Sequence, residues 1–162
     1  ATSGIQIGPG TDLVTKSAGG KPFSTYVYPT TLFYGCKGVI TNEKSGWLWP
    51  GTVIFSNSTP KYPDITLPPA RYRAQQPFIL SGMSVSLNKS VSGNVTTITA
   101  CKNATTNVPD GITSVAVTLN DTETSKSYYN TTVDFNAGDF LSLYFTSNSD
   151  TIEDVIIQVD LF

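Results

Sequence analysis

In the second half of the chain, stretch after stretch makes every second residue apolar. Met83, Val85 and Leu87 alternate with Ser84 and Ser86. Val115, Val117 and Leu119 recur the same way, as do Leu141, Leu143 and Phe145. Val155, Ile157, Val159 and Leu161 close the pattern. A period of two belongs to a strand with one buried face, and no stretch carries the 3.6-residue period of an amphipathic helix. Turn chemistry separates the stretches, as at Asn136-Ala137-Gly138. The expectation is an all-β, antiparallel jelly-roll sandwich of about ten short strands.

The first half is less regular. Phe23, Tyr26, Tyr28, Phe33 and Tyr34 form an aromatic stretch broken by Pro29, which implies short or edge strands. Val39–Thr41 and Thr52–Phe55 are two more strand candidates. Residues 57–70 hold Pro60, Pro63, Pro68 and Pro69, which exclude a helix there. Residues 1–21 are glycine-rich and suggest a loose lead-in from a stalk or neighbouring domain, with one jelly-roll domain over 22–162.

Composition agrees. Charged residues make up 14%, against the usual ~25%. The net charge is -2 and the basic residues are scattered along the sequence, which argues against nucleic-acid binding. No apolar run is long enough for membrane insertion as a helix.

The chain has no histidine, which removes Ser-His-Asp and Cys-His catalysis and histidine-bound zinc. No metal and no cofactor is expected. Carboxylates remain: Asp134, Asp139, Asp150, Glu153, Asp154 and Asp160. A glycosidase needs a facing pair of them, but Asp139 sits in a turn and residues 150–154 read as a solvated loop, with calcium the lesser alternative. Of the two cysteines, Cys101 ends an alternating run and reads as a buried thiol; a bridge to Cys36 stays open.

Trp47 and Trp49 flank Leu48, so on a strand they share a face. They form either a hydrophobic plug or a sugar-stacking platform. Six Asn-x-Ser/Thr sequons occur, at Asn57, Asn88, Asn94, Asn103, Asn120 and Asn130. Pro60 compromises the first. The others are either glycan acceptors of an extracellular surface or by-products of Asn/Ser/Thr-rich turns.

Residues 78–162 also resemble a known family. The carriers are Phe78–Leu87, Ser114–Leu119, and Val133-Asp134-Phe135-Asn136-Ala137-Gly138-Asp139-Phe140-Leu141-Ser142-Leu143-Tyr144-Phe145, followed by a last strand running to Phe162. This succession resembles the trimeric jelly rolls of the tumour-necrosis-factor and complement-one-q-like superfamily. It is most similar to the C-terminal heads of microbial or viral collagen-like surface fibres. The Gly-x-Tyr-x-Phe signature of the animal heads is absent, and the first 75 residues match no family pattern.

The resemblance implies a non-catalytic homotrimer displayed on a virion, spore or cell surface and attaching to a glycan or protein receptor. Leu141, Leu143, Phe145, Val155, Ile157, Val159 and Leu161 are the expected subunit contacts, although alternation does not say which strand face meets the partner. Trp47, Trp49 and Tyr62 are the expected ligand contacts. A structural coat jelly roll and a monomeric sugar-binding module built on Trp47 and Trp49 are the alternatives.

Overall fold

The computed structural model describes residues 30–40, 45–54, 71–88, 93–148 and 152–162. Among them are twelve strands and no helix: β1 (Thr30–Lys37), β2 (Val39–Ile40), β3 (Ser45–Leu48), β4 (Gly51–Ile54), β5 (Tyr72–Arg73), β6 (Phe78–Ser86), β7 (Val95–Lys102), β8 (Ile112–Asn120), β9 (Ser125–Phe135), β10 (Phe140–Ser147), β11 (Ile152–Glu153) and β12 (Ile156–Leu161). The lead-in over 1–21, the proline-rich crossing and Tyr62 lie outside the described residues.

The long strands pair in a nested order. β1 pairs β12, β3 pairs β10, β6 pairs β9, and β7 pairs β8, all antiparallel. One long hairpin is thus folded over on itself, which is jelly-roll topology. It yields one sheet in the order β4-β1-β12-β6-β9 and a second in the order β3-β10-β7-β8, with β5 added alongside β10. Among the described residues the one departure from antiparallel pairing is β4, which runs parallel to β1 at the sheet edge.

Alternation decides what enters the space between the sheets. Leu80, Met83, Val85, Phe135, Ile157 and Val159 face Ile98, Val115, Val117, Leu141, Leu143 and Phe145 in one continuous core. Each such side chain contributes about 1.5–3 kcal/mol by leaving water. Phe78 stacks on Phe135 with centroids 4.6 Å apart, closing one end.

One departure from simple alternation matters for the surface. Tyr129, Val133 and Phe135 share a face in an unbroken strand, yet Val133 and Phe135 pack into the core while Tyr129 is 60% exposed. The cause is an irregularity in the pairing of β6 with β9, where β9 takes four steps against two of β6. Leu80 pairs Val133, but the next matched pair is Gly82 with Tyr129. A bulge reverses which residues point inward. Gly82 sits under the ring: a Cβ there would come 2.6 Å from Cδ1 of Tyr129.

Candidate functional site

The outer face of the second sheet is built from cross-strand rows. Trp47, Tyr144, Thr99 and Ala116 form one; Ser45, Thr146, Thr97 and Thr118 form the next. Thr97 and Thr118 share a hydroxyl hydrogen bond of 3.0 Å. The aromatic row is not open to solvent. The loop after β7 folds back over it, and Trp47 Nε1 donates to the carbonyl of Thr106 at 3.0 Å. Trp47 meets Tyr144 edge to face at 4.9 Å, and with Cys101 and Ala104 the two form a small second core.

The loop holds its shape through Asp110. Its carboxylate accepts from the Thr105 backbone N–H at 2.9 Å and from Thr105 Oγ1 at 2.9 Å. These bonds, the Thr105 backbone first, hold the carboxyl below its usual range. Cys101 beneath is a free thiol, and burial, then the nearby Asp110 charge, pushes it up to about 12.

The sugar platform therefore fails on geometry. Trp47 is only 1% exposed, while Trp49, one residue past the end of β3, is 43% exposed. Trp47 is a plug under its own loop, because the strand ends before the second tryptophan can join it.

The first sheet differs. Its outer face carries three rows: Thr31, Asp160, Gly82 and Tyr129; Phe33, Gln158, Ser84 and Ser127; Gly35, Ile156, Ser86 and Ser125. Phe33 is 53% and Ile156 56% exposed, with Tyr129 near them in exposure. The rows contain one charge, Asp160, which accepts from Thr31 Oγ1 at 2.9 Å.

The expected contact residues lie on the other side. Leu141, Leu143, Phe145, Val155, Ile157, Val159 and Leu161 are all buried inside the single chain. They build the core and are not free to meet a partner. The same alternation that buries Ile157 turns Ile156 outward.

A third region lies at the β5 end of the sandwich. Arg71 and Arg73 approach one ring, Phe140, at 5.1 and 6.0 Å from its centroid. Lys102 Nζ lies 5.4 Å from the centroid of Phe135 and 3.1 Å from Asp139 Oδ2. Asp139 also accepts from Asn103 Nδ2 at 2.9 Å and from the Asn136 backbone at 2.7 Å. The Asn103 bond first, then the Asn136 N–H and Lys102, hold its carboxyl below the usual range. Basic groups scattered in sequence are thus gathered in space. Tyr72, on the other side of β5, lines a cleft of about 100 Å³ together with Thr30, Gln75, Gln76, Phe78 and Phe162.

The other candidates are accounted for by local structure. Asp154 Oδ1 accepts from the Gly38 backbone at 2.8 Å and Oδ2 from Asn88 at 3.3 Å, pinning the small β2–β11 sheet. No group of three or more metal-ligating side chains occurs among the described residues. Asn94 is buried, which removes it as a glycan acceptor in the folded chain. Asn103 has a left-handed backbone (φ 55) and its amide is engaged on both sides, by Asp139 and by the Phe140 N–H. Asn120 is exposed at the end of β8, and Asn130 belongs to β9 with its side chain outside the described residues. Sequence reasoning missed the Arg71–Phe140–Arg73 grouping; the one available signal was two arginines flanking a single tyrosine.

No protein-family model matches this chain, and neither does any curated protein.

Proposed function

We propose that the domain is a non-catalytic, trimerising head of a surface or virion fibre, displayed extracellularly and attaching to a surface ligand. The observation that carries this reading is the outer face of the β4-β1-β12-β6-β9 sheet. Phe33, Ile156 and Tyr129 stand exposed on it among serines, threonine and glycine. Phe33 and Ile156 are diagonal neighbours on the paired strands β1 and β12, and exposed apolar side chains brought together on an open sheet face mark a contact surface. Among the described residues the core cluster lies between the two sheets and does not include Phe33, Ile156 or Tyr129. A closed threefold ring buries one such face per subunit. The nested strand order also fits the jelly-roll family that residues 78–162 resemble.

The carboxylates support a non-catalytic role. Asp110, Asp139 and Asp154 are engaged in holding turns, through backbone N–H groups. The test is the solution mass, by light scattering, at micromolar and nanomolar concentration. A stable species near three times 17.4 kDa is expected. Phe33→Arg and Ile156→Asp should reduce it to monomer with unchanged circular dichroism. A wild-type monomer overturns the reading, and an open-ended assembly favours a coat protein instead.

A further inference from the structure

Six of the chain's ten asparagines open an Asn-x-Ser/Thr sequon. Ser and Thr make up about a quarter of the residues, so random placement gives about two or three. The fold decides which of the six can carry a glycan. An N-glycan is bulky and hydrophilic, so its asparagine must end on the surface. A glycosyltransferase engages the asparagine amide together with the hydroxyl two residues on, so both must be free of other bonds.

Three of the described sequons fail. Asn94 is 5% and Thr96 2% exposed, and the Thr96 hydroxyl is bonded to Ser147 at 2.9 Å. At Asn103 both ends are engaged: Nδ2 donates to Asp139 at 2.9 Å, and Thr105 Oγ1 donates to Asp110 at 2.9 Å. Asn88 is exposed, but its Nδ2 donates to Asp154 Oδ2 at 3.3 Å.

The sequon at Asn120 differs. Asn120, Asp121 and Thr122 are all exposed. Among the described residues, neither the Asn120 side-chain amide nor the Thr122 hydroxyl makes a hydrogen bond. The turn that presents them is held through other groups. The Glu123 N–H donates to the Asn120 carbonyl at 3.0 Å, and the Asn120 backbone N–H donates to Glu123 Oε2 at 2.8 Å. Asp121, left-handed at φ 50, donates its N–H to the Asn94 carbonyl at 2.7 Å and accepts from the Gly93 N–H at 3.1 Å. The sequon is fixed at its backbone and open at its two reactive side chains.

Leu119 is buried, so alternation puts Asn120 on the outer face of the second sheet. There it stands opposite Val95, which is 46% exposed. The three outer rows of the first sheet contain no sequon asparagine, so a glycan on Asn120 leaves the proposed trimer contact bare.

We infer that Asn120 is an N-glycan acceptor, taking its oligosaccharide from a lipid-linked pyrophosphate donor. Nδ2 bonds to C1 of the first sugar, the C1–O bond to pyrophosphate breaks, the lipid pyrophosphate leaves, and one amide proton is released. The first sugar then lies beside Val95 and covers it. The inference rests on the extracellular display proposed above.

The experiment secretes the full chain from a eukaryotic cell line, removes glycans with peptide-N-glycosidase in heavy-oxygen water, and maps the peptides by mass. Each occupied asparagine is then read as a heavy aspartate. Asn120 should be occupied, and Asn94 and Asn103 should not. Asn130, whose side chain lies outside the described residues, is read on its own peptide. Asn120→Gln and Thr122→Ala should each lose the mass of one glycan, and Thr122→Ser should keep it. Both side chains are free, so unchanged melting temperatures are expected for the unglycosylated variants. Folded chain made without glycans, incubated with a purified oligosaccharyltransferase and a lipid-linked oligosaccharide, gives a second reading: Asn120 should be modified and Asn94 should not.

A bare Asn120 in both preparations, full glycan mass retained in Thr122→Ala, or occupancy of Asn94 in the folded chain overturns the inference. Solution mass on the same samples separates the two proposals. A trimer with a bare Asn120 sinks this inference alone, and a monomer glycosylated at Asn120 sinks the trimeric head alone.

Discussion

The two outer faces of this sandwich both carry aromatic groups, and the chain treats them differently. On the second sheet, Trp47 and Tyr144 are roofed by the loop after β7, and even the indole N–H has a carbonyl partner. On the first sheet, Phe33, Ile156 and Tyr129 are exposed by half or more. The same chain that spends a long loop, stiffened by Asp110, on hiding one aromatic row leaves the other face bare. The lesson is that exposure on the first sheet is not a general failure of the fold to cover apolar side chains. Other large hydrophobics are exposed too, but Val108 lies in a loop and Ile112 at a strand start, whereas Phe33, Ile156 and Tyr129 share one sheet face.

The largest effect that can sharpen this contrast comes from two neighbours on β12. Ile157 is fully buried and Ile156 is 56% exposed. Ile157→Asp places an uncompensated charge in the core and should cost more than about 4 kcal/mol. Much of a typical domain's stability of about 5–15 kcal/mol disappears with it. Ile156→Asp should leave the denaturation midpoint nearly unchanged while abolishing assembly. Urea denaturation and light scattering on both variants decide it. If Ile156→Asp stays assembled, the open face is not the contact.

Next in size is the covered face. Trp47→Ala removes a buried indole, its edge contact with Tyr144 and its bond to Thr106, and should cost about 3–5 kcal/mol. The proposed trimer should persist, because the other sheet is untouched. A variant that folds as tightly as wild type would show that the loop roof is not part of the stable structure. Native-state alkylation followed by peptide mapping reads the same roof: Cys101 should remain unmodified in wild type and become reactive in Trp47→Ala.

How far the sequence foretold this contrast depends on the residue. The period of two in β6, β8, β10 and β12 located the inward side chains correctly, because burial on one face is what a period of two means. It was silent on which strands neighbour each other, and therefore mistook core residues such as Ile157 for a contact surface. The outward position of Tyr129 was hidden by the irregular stretch of β9 between Tyr129 and Val133, since a bulge reverses alternation without leaving a pattern of its own. Trp47 and Trp49 looked like partners because spacing assumes the strand continues, and β3 stops at Leu48. The Arg71–Phe140–Arg73 grouping joins residues distant in sequence through the pairing of β5 with β10, which no local pattern encodes.

Smaller still is the acid response of the β5 end. Asp139 has its carboxyl held below the ordinary range by Asn103, Asn136 and Lys102. A depressed carboxyl stabilises the fold fully above its unfolded value of about 3.9 and loses that contribution as pH falls through the folded value. The melting temperature should therefore drop on acidification below about pH 4. Asp139→Asn should melt lower at neutral pH and show a shallower acid drop. Identical acid profiles for the two proteins would mean that the Lys102–Asn103–Asn136 contacts do not hold in solution.

The smallest expected effect tests the contrast at a single atom. On the roofed face the indole N–H of Trp47 has a partner; in the core the hydroxyl of Tyr34 has none among the described residues. Tyr34 points inward from β1, is 1% exposed, and burial, with Tyr72 nearby, raises its pKa. A buried hydroxyl that gives up water without gaining a bond is a cost to the fold. Tyr34→Phe deletes only that oxygen and keeps the ring packed. It should shift stability by no more than about 1 kcal/mol, in the stabilising direction. Trp47→Phe deletes a bonded N–H along with part of a ring and should destabilise. Opposite signs for these two aromatic-to-phenylalanine changes, measured by urea denaturation, would establish that polar satisfaction was built under the loop and not into the core. A clear loss of stability in Tyr34→Phe would mean that its hydroxyl finds a partner after all, and the distinction between the two regions would then rest on exposure alone.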